Sequence, residues 1–185
     1  GPFLMADPGI FFILLRADRD LLSLAQELGF EEDAQIIAQW VKEAETTANQ
    51  FWNDEYGAFC AWDVRTGEFS HGFSNASALC FYADVGTAEQ REKTLSHMAR
   101  IASQTKFGQS SWDPDAPLFE SQRYWCGPLW CQMNYMIAKG LEEQGQGALA
   151  EKMRDDLKNV IELSGFYECF DPLSGAGCIG DRKST

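Results

Sequence analysis

Histidine is scarce in this chain: only His71 and His97 among 185 residues. The six cysteines, at 60, 80, 126, 131, 169 and 178, include no CxxC pair. That spacing excludes the usual zinc sites and a disulfide scaffold, and several of the thiols lie in apolar or helical stretches where cysteine packs as a small hydrophobe. A reduced, cytoplasmic protein is therefore expected. Positive charge is also short, with 15 Lys and Arg against 28 Asp and Glu, a net charge of −13. Such a balance argues against nucleic acid or an anionic membrane as the main partner. No apolar run reaches the length needed to span a bilayer. The glycines form no phosphate cradle, and Gly57, Gly67 and Gly72 read as turn residues. Asp113 and Asp115 lack the glycine and bidentate glutamate of a calcium loop. No metal and no cofactor are expected.

Apolar side chains are plentiful: 45% of the residues are hydrophobic and 13% aromatic, enough for a folded core. The length suits a single domain over residues 1–185. Helical signals dominate. Pro8 and Gly9 open a first helix that runs to Leu28 and is closed by Gly29. The stretch from Phe3 to Leu15 is apolar nearly all round and reads as an inner segment of something larger. Glu31, Glu32 and Asp33 suit the positive end of a second helix. Its stripe of Ile37, Trp40, Val41, Ala44, Ala48 and Phe51 predicts one buried face.

A second pair is predicted from a short apolar helix over 74–84 and a helix over 87–103. The latter opens with a Thr87 and Gln90 capping box and has Leu95, Met98, Ala99 and Ala102 on one side. A third pair combines a helix that starts at Pro128 and ends near Glu143 with one over 147–163. Between the first two pairs, "AFCAWDVRTGEF" reads as a small β-hairpin turning near Arg65, Thr66 and Gly67. The amphipathic partners begin near 31, 87 and 147, so the units are roughly sixty residues long. Stacked helical hairpins form bundles, solenoids or closed toroids. The long loop over 103–127 and the all-round apolar first members of each pair favour an all-α toroid of inner and outer helices.

Two stretches hold the candidate chemistry. "WDPDAPLFESQRYWCGPLWCQMNY" gathers Trp112, Tyr124, Trp125 and Trp130 around polar residues, a composition that suits stacking on sugar C–H faces and binding of hydroxyls. The same residues could simply fill a helix-to-loop corner. "GFYECFDPLSGAG" sets Glu168 among aromatic residues. Burial there would raise its pKa, as a general acid or base requires, but a solvent-facing turn glutamate fits the spacing too. Asp171, Pro172, Gly175 and Gly177 read as turn chemistry. The run from Glu151 to Asp156 reads as a solvated helix face, and His71 as structural.

Taken together, "RYWCGPLWCQMNYMIAKGL" resembles a Tyr-Trp-Arg-Gly-Pro-x-Trp motif leading into an inner helix that carries an asparagine. "GFYECFDPLSGAG" resembles a Tyr-Glu-x-x-x-Pro-x-Thr/Ser-Gly turn. Both are motifs of glycoside hydrolase family 63 and its (α/α)₆-barrel relatives, mannosylglycerate and glucosylglycerate hydrolases among them. "ILLRADRDLLSLAQELG" and "FWNDEYGAFCAWDVRTGE" are similar to that family's recurring helix and hairpin, so the resemblance covers nearly the whole chain. It implies an inverting glycosidase of glucosyl- or mannosyl-containing small saccharides or glycosides, with Glu168 as the general base. Tyr124, Trp125, Gly127 and Trp130, with Gln122 and Asn134 as polar candidates, are the implied substrate-binding residues. Cys126 stands where most relatives carry arginine, which removes a fixed charged donor.

An inverting pair needs a second carboxyl about 6.5–9.5 Å away. Neither Trp62-Asp63 nor Trp112-Asp113 matches the family's general acid. Three helical pairs are half of a six-pair barrel, and "GDRKST" falls where the family continues into another inner helix. The resemblance therefore implies the C-terminal half of a larger barrel, inactive alone, with exposed apolar faces that promote homodimer formation. A non-catalytic carbohydrate-binding or scaffold protein, or a helical interaction module, are the alternatives.

Overall fold

The computed structural model describes residues 4–178. Gly1 and Pro2, the first residue of the apolar Phe3–Leu15 stretch, and the terminal "GDRKST" lie outside the described residues. Six α-helices and six two-residue strands make up the regular structure among the described residues. Strand β1 (Met5–Ala6) leads into α1 (Pro8–Glu27). Asp7 caps α1 by accepting from the Ile10 amide at 2.9 Å, with Pro8 in the first turn where a missing N–H costs nothing. Gly29, at φ +74°, turns the chain directly into α2 (Glu31–Ala48).

A 3₁₀ turn at Asn49–Phe51 then leads to β2 (Trp52–Asn53), which pairs antiparallel with β3 (Ala58–Phe59). Strand β4 (Trp62–Asp63) pairs with β1, and Trp62 also bridges to Phe69. The Arg65-Thr66-Gly67 turn closes as expected, with Gly67 N–H donating to the Asp63 carbonyl at 2.8 Å.

Helix α3 is shorter than the sequence predicts. Only Asn75–Ala78 is α-helical, and Leu79, Cys80 and Phe81 continue in three-residue-spaced hydrogen bonds until Asp84 at φ +52° ends the segment. Every α3 residue is buried. Helix α4 (Ala88–Ala102) opens with the predicted capping box: Thr87 Oγ1 accepts from the Gln90 amide and the Gln90 side chain accepts from the Thr87 amide. Its buried face is Thr94, Met98 and Ile101, one position round from the predicted stripe, which leaves Ala99 exposed.

Helix α5 (Cys131–Glu143) starts three residues later than the Pro128 signal suggests. Leu129 is extended, with its N–H donating to the Phe170 carbonyl at 2.7 Å and its carbonyl accepting from the Phe170 amide at 2.9 Å. A long-range strand pairing has won over the local helix-start signal here. Helix α6 (Gly147–Ser164) follows, and then β5 (Cys169–Phe170) pairs antiparallel with β6 (Gly177–Cys178).

The helices form two layers. Helices α1, α3 and α5 pack in succession as an inner layer, and α2, α4 and α6 each lie against their partner. Spacing within the inner layer is set by Gly140, because a Cβ there would overlap the Tyr82 backbone nitrogen. Arg16 fastens the layer by donating to the Tyr82 carbonyl and to Glu143 at 2.6 Å. One large core unites Phe12, Phe59, Leu79, Met98, Ile137 and Met153 with their neighbours.

The first pair departs from that order along one face shared by α1 and α2. Leu21, Leu24, Leu28, Phe30, Ile36 and Trp40 are exposed and line an apolar groove of about 500 Å³. Trp40, expected on the buried stripe, stands in this groove with half its surface open.

Candidate functional site

The Leu129–Phe170 pairing is what assembles the site. It lays the segment before α5 against β5, so that residues far apart in sequence become neighbours. Tyr124 donates its hydroxyl to Glu168 Oε1 at 2.9 Å. This bond raises the Tyr124 pKa, so the phenol stays protonated and holds the carboxylate by one oxygen. Trp125 stacks on Trp130 with ring centroids 4.1 Å apart and planes within 9°, and Tyr124 meets Trp130 edge-on at 4.8 Å. Trp125 adopts φ +59°, a left-handed backbone that is costly for a bulky residue and is maintained by its surroundings. Trp125 is 44% exposed, whereas Trp130, stacked on it, is 2% exposed.

The carboxylate loop is built with equal care. Gly177 lies directly under the Tyr167 ring, where no side chain fits. Asp171 accepts from the Leu173 amide, Ser174 Oγ and Gln122 Nε2 at 2.9, 2.9 and 3.1 Å, and Gly175, at φ +79°, completes the turn. Burial alone would raise the Asp171 pKa, but these donors outweigh it and hold the carboxyl below its ordinary value. Asp171 is a turn anchor, as the sequence suggests.

The predicted site residues divide into two groups. Glu168, Tyr124 and Trp125 converge on the surface and Trp130 backs them. The rest are committed elsewhere. Gln122 is occupied by Asp171. Gly127 is buried, its N–H donating to Ser111 Oγ at 3.0 Å, and a Cβ there would overlap the Glu120 carbonyl. Asn134 is fully buried, accepting from the Gln109 amide and donating to the Gln109 and Trp130 carbonyls. Its role is to pin the loop ahead of α5. Asp156, expected on a solvated face, turns inward and accepts from the Gly108 amide at 2.9 Å. Glu168 itself is exposed, so its aromatic neighbours do not bury it within this chain.

A cavity of about 290 Å³ opens beside Trp125. It is lined by the N-terminal ends of α1, α3 and α5, through Gly9, Ile10, Asn75 and Met133, with Trp112 and Trp125 as aromatic walls. Trp112 is positioned by a network that sequence reasoning missed. Asp113, next to it, is buried and accepts from Arg100 Nη1 at 2.9 Å, Arg100 Nη2 at 2.5 Å and the Tyr56 hydroxyl at 2.9 Å. Burial works to raise the Asp113 pKa, yet Arg100 and its other donors hold it low. Burial and the Asp113 bond push the Tyr56 hydroxyl up to about 12.

His97 is sandwiched between Tyr56 and Phe73, and burial lowers its pKa. The one signal for this network was the acid beside Trp112, since Arg100 and Tyr56 approach from other units. Asp63, hydrogen-bonded by Arg65, has its carboxyl drawn down to about 2 and is ionised at neutral pH. Neither Asp63 nor Asp113 is a proton donor at neutral pH. Among the described residues no cluster of His, Cys, Asp or Glu could hold a metal ion, and no helix is long and apolar enough to cross a membrane.

An inner helical layer backed by an outer one is the arrangement of paired helices found in (α/α)₆-barrel proteins. A solved mannosylglycerate hydrolase of glycoside hydrolase family 63 from Thermus thermophilus, in complex with glucose, superposes with a TM-score of 0.90. That comparison has 34% identity and covers 95% of this chain and 44% of the other. The chain belongs to the mannosylglycerate hydrolase MGH1-like glycoside hydrolase domain family, whose sequence pattern matches residues 1–183. It is 36% identical over its full length to a Thermus thermophilus mannosylglycerate hydrolase, covering 44% of that protein. It is 32% identical over 97% of its length to mannosylglycerate hydrolase MGH1 of Selaginella moellendorffii, covering 37% of that protein. The chain thus spans less than half the length of these relatives. A neutral trehalase from Saccharomyces cerevisiae, at 15% identity and a TM-score of 0.67, shares the fold.

Proposed function

We propose that this chain is the base-bearing part of an inverting glycosidase acting on a mannosyl or glucosyl glycoside of glycerate or a similarly small aglycone. The observation that carries the reading is the Tyr124–Glu168 hydrogen bond beside an exposed Trp125 ring. In this reading Glu168 takes a proton from the attacking water. Tyr124 leaves one carboxylate oxygen free for that task and orients the other. Trp125 offers its face to a sugar ring. The general acid and the opposite wall of the cleft come from polypeptide outside this chain, which fits its coverage of less than half of each relative. The isolated chain is accordingly inactive or nearly so. No metal or cofactor takes part, and the protein acts in the cytoplasm. Support for the substrate class comes from relatives: Thermus thermophilus mannosylglycerate hydrolase has been solved with glucose and with Tris and D-glycerate.

The test is a fusion of this chain to the preceding part of the Thermus thermophilus relative. The fusion should hydrolyse mannosylglycerate, with proton NMR showing the inverted anomer as the first product. Glu168→Gln should lower kcat by a factor of about 10²–10⁴. Full activity in Glu168→Gln, or retention of configuration, would remove the assignment.

A further inference from the structure

The loop over 120–127 closes on itself through its backbone. Glu120 donates its N–H to the Cys126 carbonyl at 3.0 Å, Arg123 donates to the Glu120 carbonyl at 3.0 Å, and Cys126 donates to the Arg123 carbonyl at 2.8 Å. Tyr124 and Trp125 sit at its tip, and Trp125 holds φ +59°. A bulky residue rarely adopts that backbone, which persists only where the surroundings over-determine it. Residues 120–126 are exposed or half-buried, so burial in the core does not impose the conformation. The constraint comes from the closure of the loop and from what lies at its base.

That base is Gly127. It is buried, and a Cβ there would stand 2.4 Å from the Glu120 carbonyl oxygen, 2.7 Å from the Glu120 carbonyl carbon and 2.9 Å from the Ser121 Cα. All three are backbone atoms, which cannot swing aside as the end of a side chain can. Gly127 is held from the other side as well. Its N–H donates to Ser111 Oγ at 3.0 Å, and the carbonyl of the next residue, Pro128, accepts from the Ser111 amide at 3.0 Å. A methyl group at 127 would therefore displace the 120–121 arm and open the Glu120–Cys126 bond. We infer that Gly127 is a positioning residue, closing the 120–127 loop so that Tyr124 meets Glu168 and Trp125 lies flat on Trp130. The motif resemblance places Gly127 among the substrate-binding residues, but its N–H belongs to Ser111, and its effect on substrate passes through Tyr124 and Trp125. The inference rests on the glycosidase reading above and assigns the aim of its base to a buried glycine. A misplacement of about 1 Å in a catalytic group can cost a factor of about 10² in rate.

The experiment compares the full chain with Gly127→Ala, each carrying ¹³Cζ-labelled tyrosine and ¹⁵N-labelled tryptophan. Tyr124 and Trp125 are assigned by the resonances lost in Tyr124→Phe and Trp125→Phe. In the wild type the Tyr124 phenol should titrate above the ordinary tyrosine value, because of its bond to Glu168, and should fall back in Glu168→Gln. In Gly127→Ala it should fall back as far, and the Trp125 indole should move towards the position of a free indole. Unmoved Trp52 and Trp62 indoles show that the rest of the fold is intact. Where they move too, Ser111→Ala, which releases the Gly127 N–H, decides instead; it should shift Tyr124 and Trp125 in the same direction by less. In the fusion described above, Gly127→Ala should lower kcat about 10²-fold. Tyr124 and Trp125 signals that stay at their wild-type positions, or an unchanged kcat, overturn the inference and leave the glycosidase reading standing. A wild-type Tyr124 that titrates at the ordinary value and ignores Glu168→Gln removes the bond that carries the glycosidase reading, and both fall.

Discussion

Replacing Arg100 with methionine isolates the contribution of the buried charge behind Trp112. Asp113 is almost completely buried and receives two hydrogen bonds from Arg100. Methionine keeps much of the side-chain volume and removes both donors, leaving a buried carboxylate with only the Tyr56 hydroxyl and the Asp115 amide. Breaking a buried pair from one side costs about 3–5 kcal/mol. Arg100 is about one-third exposed, which moves the expectation to the lower end, about 3 kcal/mol. For a domain of this size that is a fall in Tm of about 6–12 °C.

The pH dependence has a definite sign. In the wild type the folded-state pKa of Asp113 is held low, so its stabilisation is complete above the unfolded carboxylate value, about 3.9, and is lost as pH falls through the folded value. Without Arg100, burial dominates and the folded pKa rises above the unfolded one. The penalty in Arg100→Met should therefore shrink as pH is lowered from 7 to 5, because protonation relieves the stranded charge. Urea unfolding followed by circular dichroism at both pH values, with the Asp113→Asn variant and the double variant completing a cycle, measures this. A coupling below about 0.5 kcal/mol, or a penalty that grows on acidification, would refute the reasoning.

Two further outcomes follow from the packing. Gly140→Ala should lower stability by about 1–3 kcal/mol, since overlap with the Tyr82 backbone outweighs the helix-propensity gain of about 1 kcal/mol; equal or higher thermal stability would mean that α3 and α5 have slack. The exposed groove of Leu21, Leu24, Leu28, Phe30, Ile36 and Trp40 should pair two copies of the chain, so that size-exclusion chromatography with light scattering reports twice 20.8 kDa and Trp40→Asp returns a monomer. A wild-type chain that is monomeric at micromolar concentration would sink that pairing.

The helical pairs were legible because they rest on local signals. The Pro8 start, the Thr87 box and the stripe on α2 are written within a few residues of where they act. What escaped local reading depends on distant partners. Pro128 to Trp130 carries a helix-start signal, yet Leu129 is claimed by Phe170 from forty residues away. Asp156 reads as part of a solvated face and Asn134 as a substrate-binding candidate, and only the fold shows that both turn inward to hold the 107–110 loop. Trp40 follows the period of a buried face but keeps half its surface open there. For the site, Glu168, Tyr124, Trp125 and Trp130, which the motif resemblance names, are neighbours in the structure. It could not separate rings that present a face from rings that support one, because exposure is decided by the stacking order of Trp125 over Trp130.

The missing side chain at Gly140 has a consequence at the other end of the molecule. Helix α5 is about 20 Å long, and its first turn contributes Met133 to the cavity wall while Gly140 rests on the Tyr82 backbone in its last. The helix is in effect a rigid lever with its fulcrum at that contact. A methyl group wedged under one end would swing the other and shift Met133 in the cavity wall without altering any residue that lines it. The cavity wall can thus be reached from the far end of α5, through a substitution at a residue that does not line it.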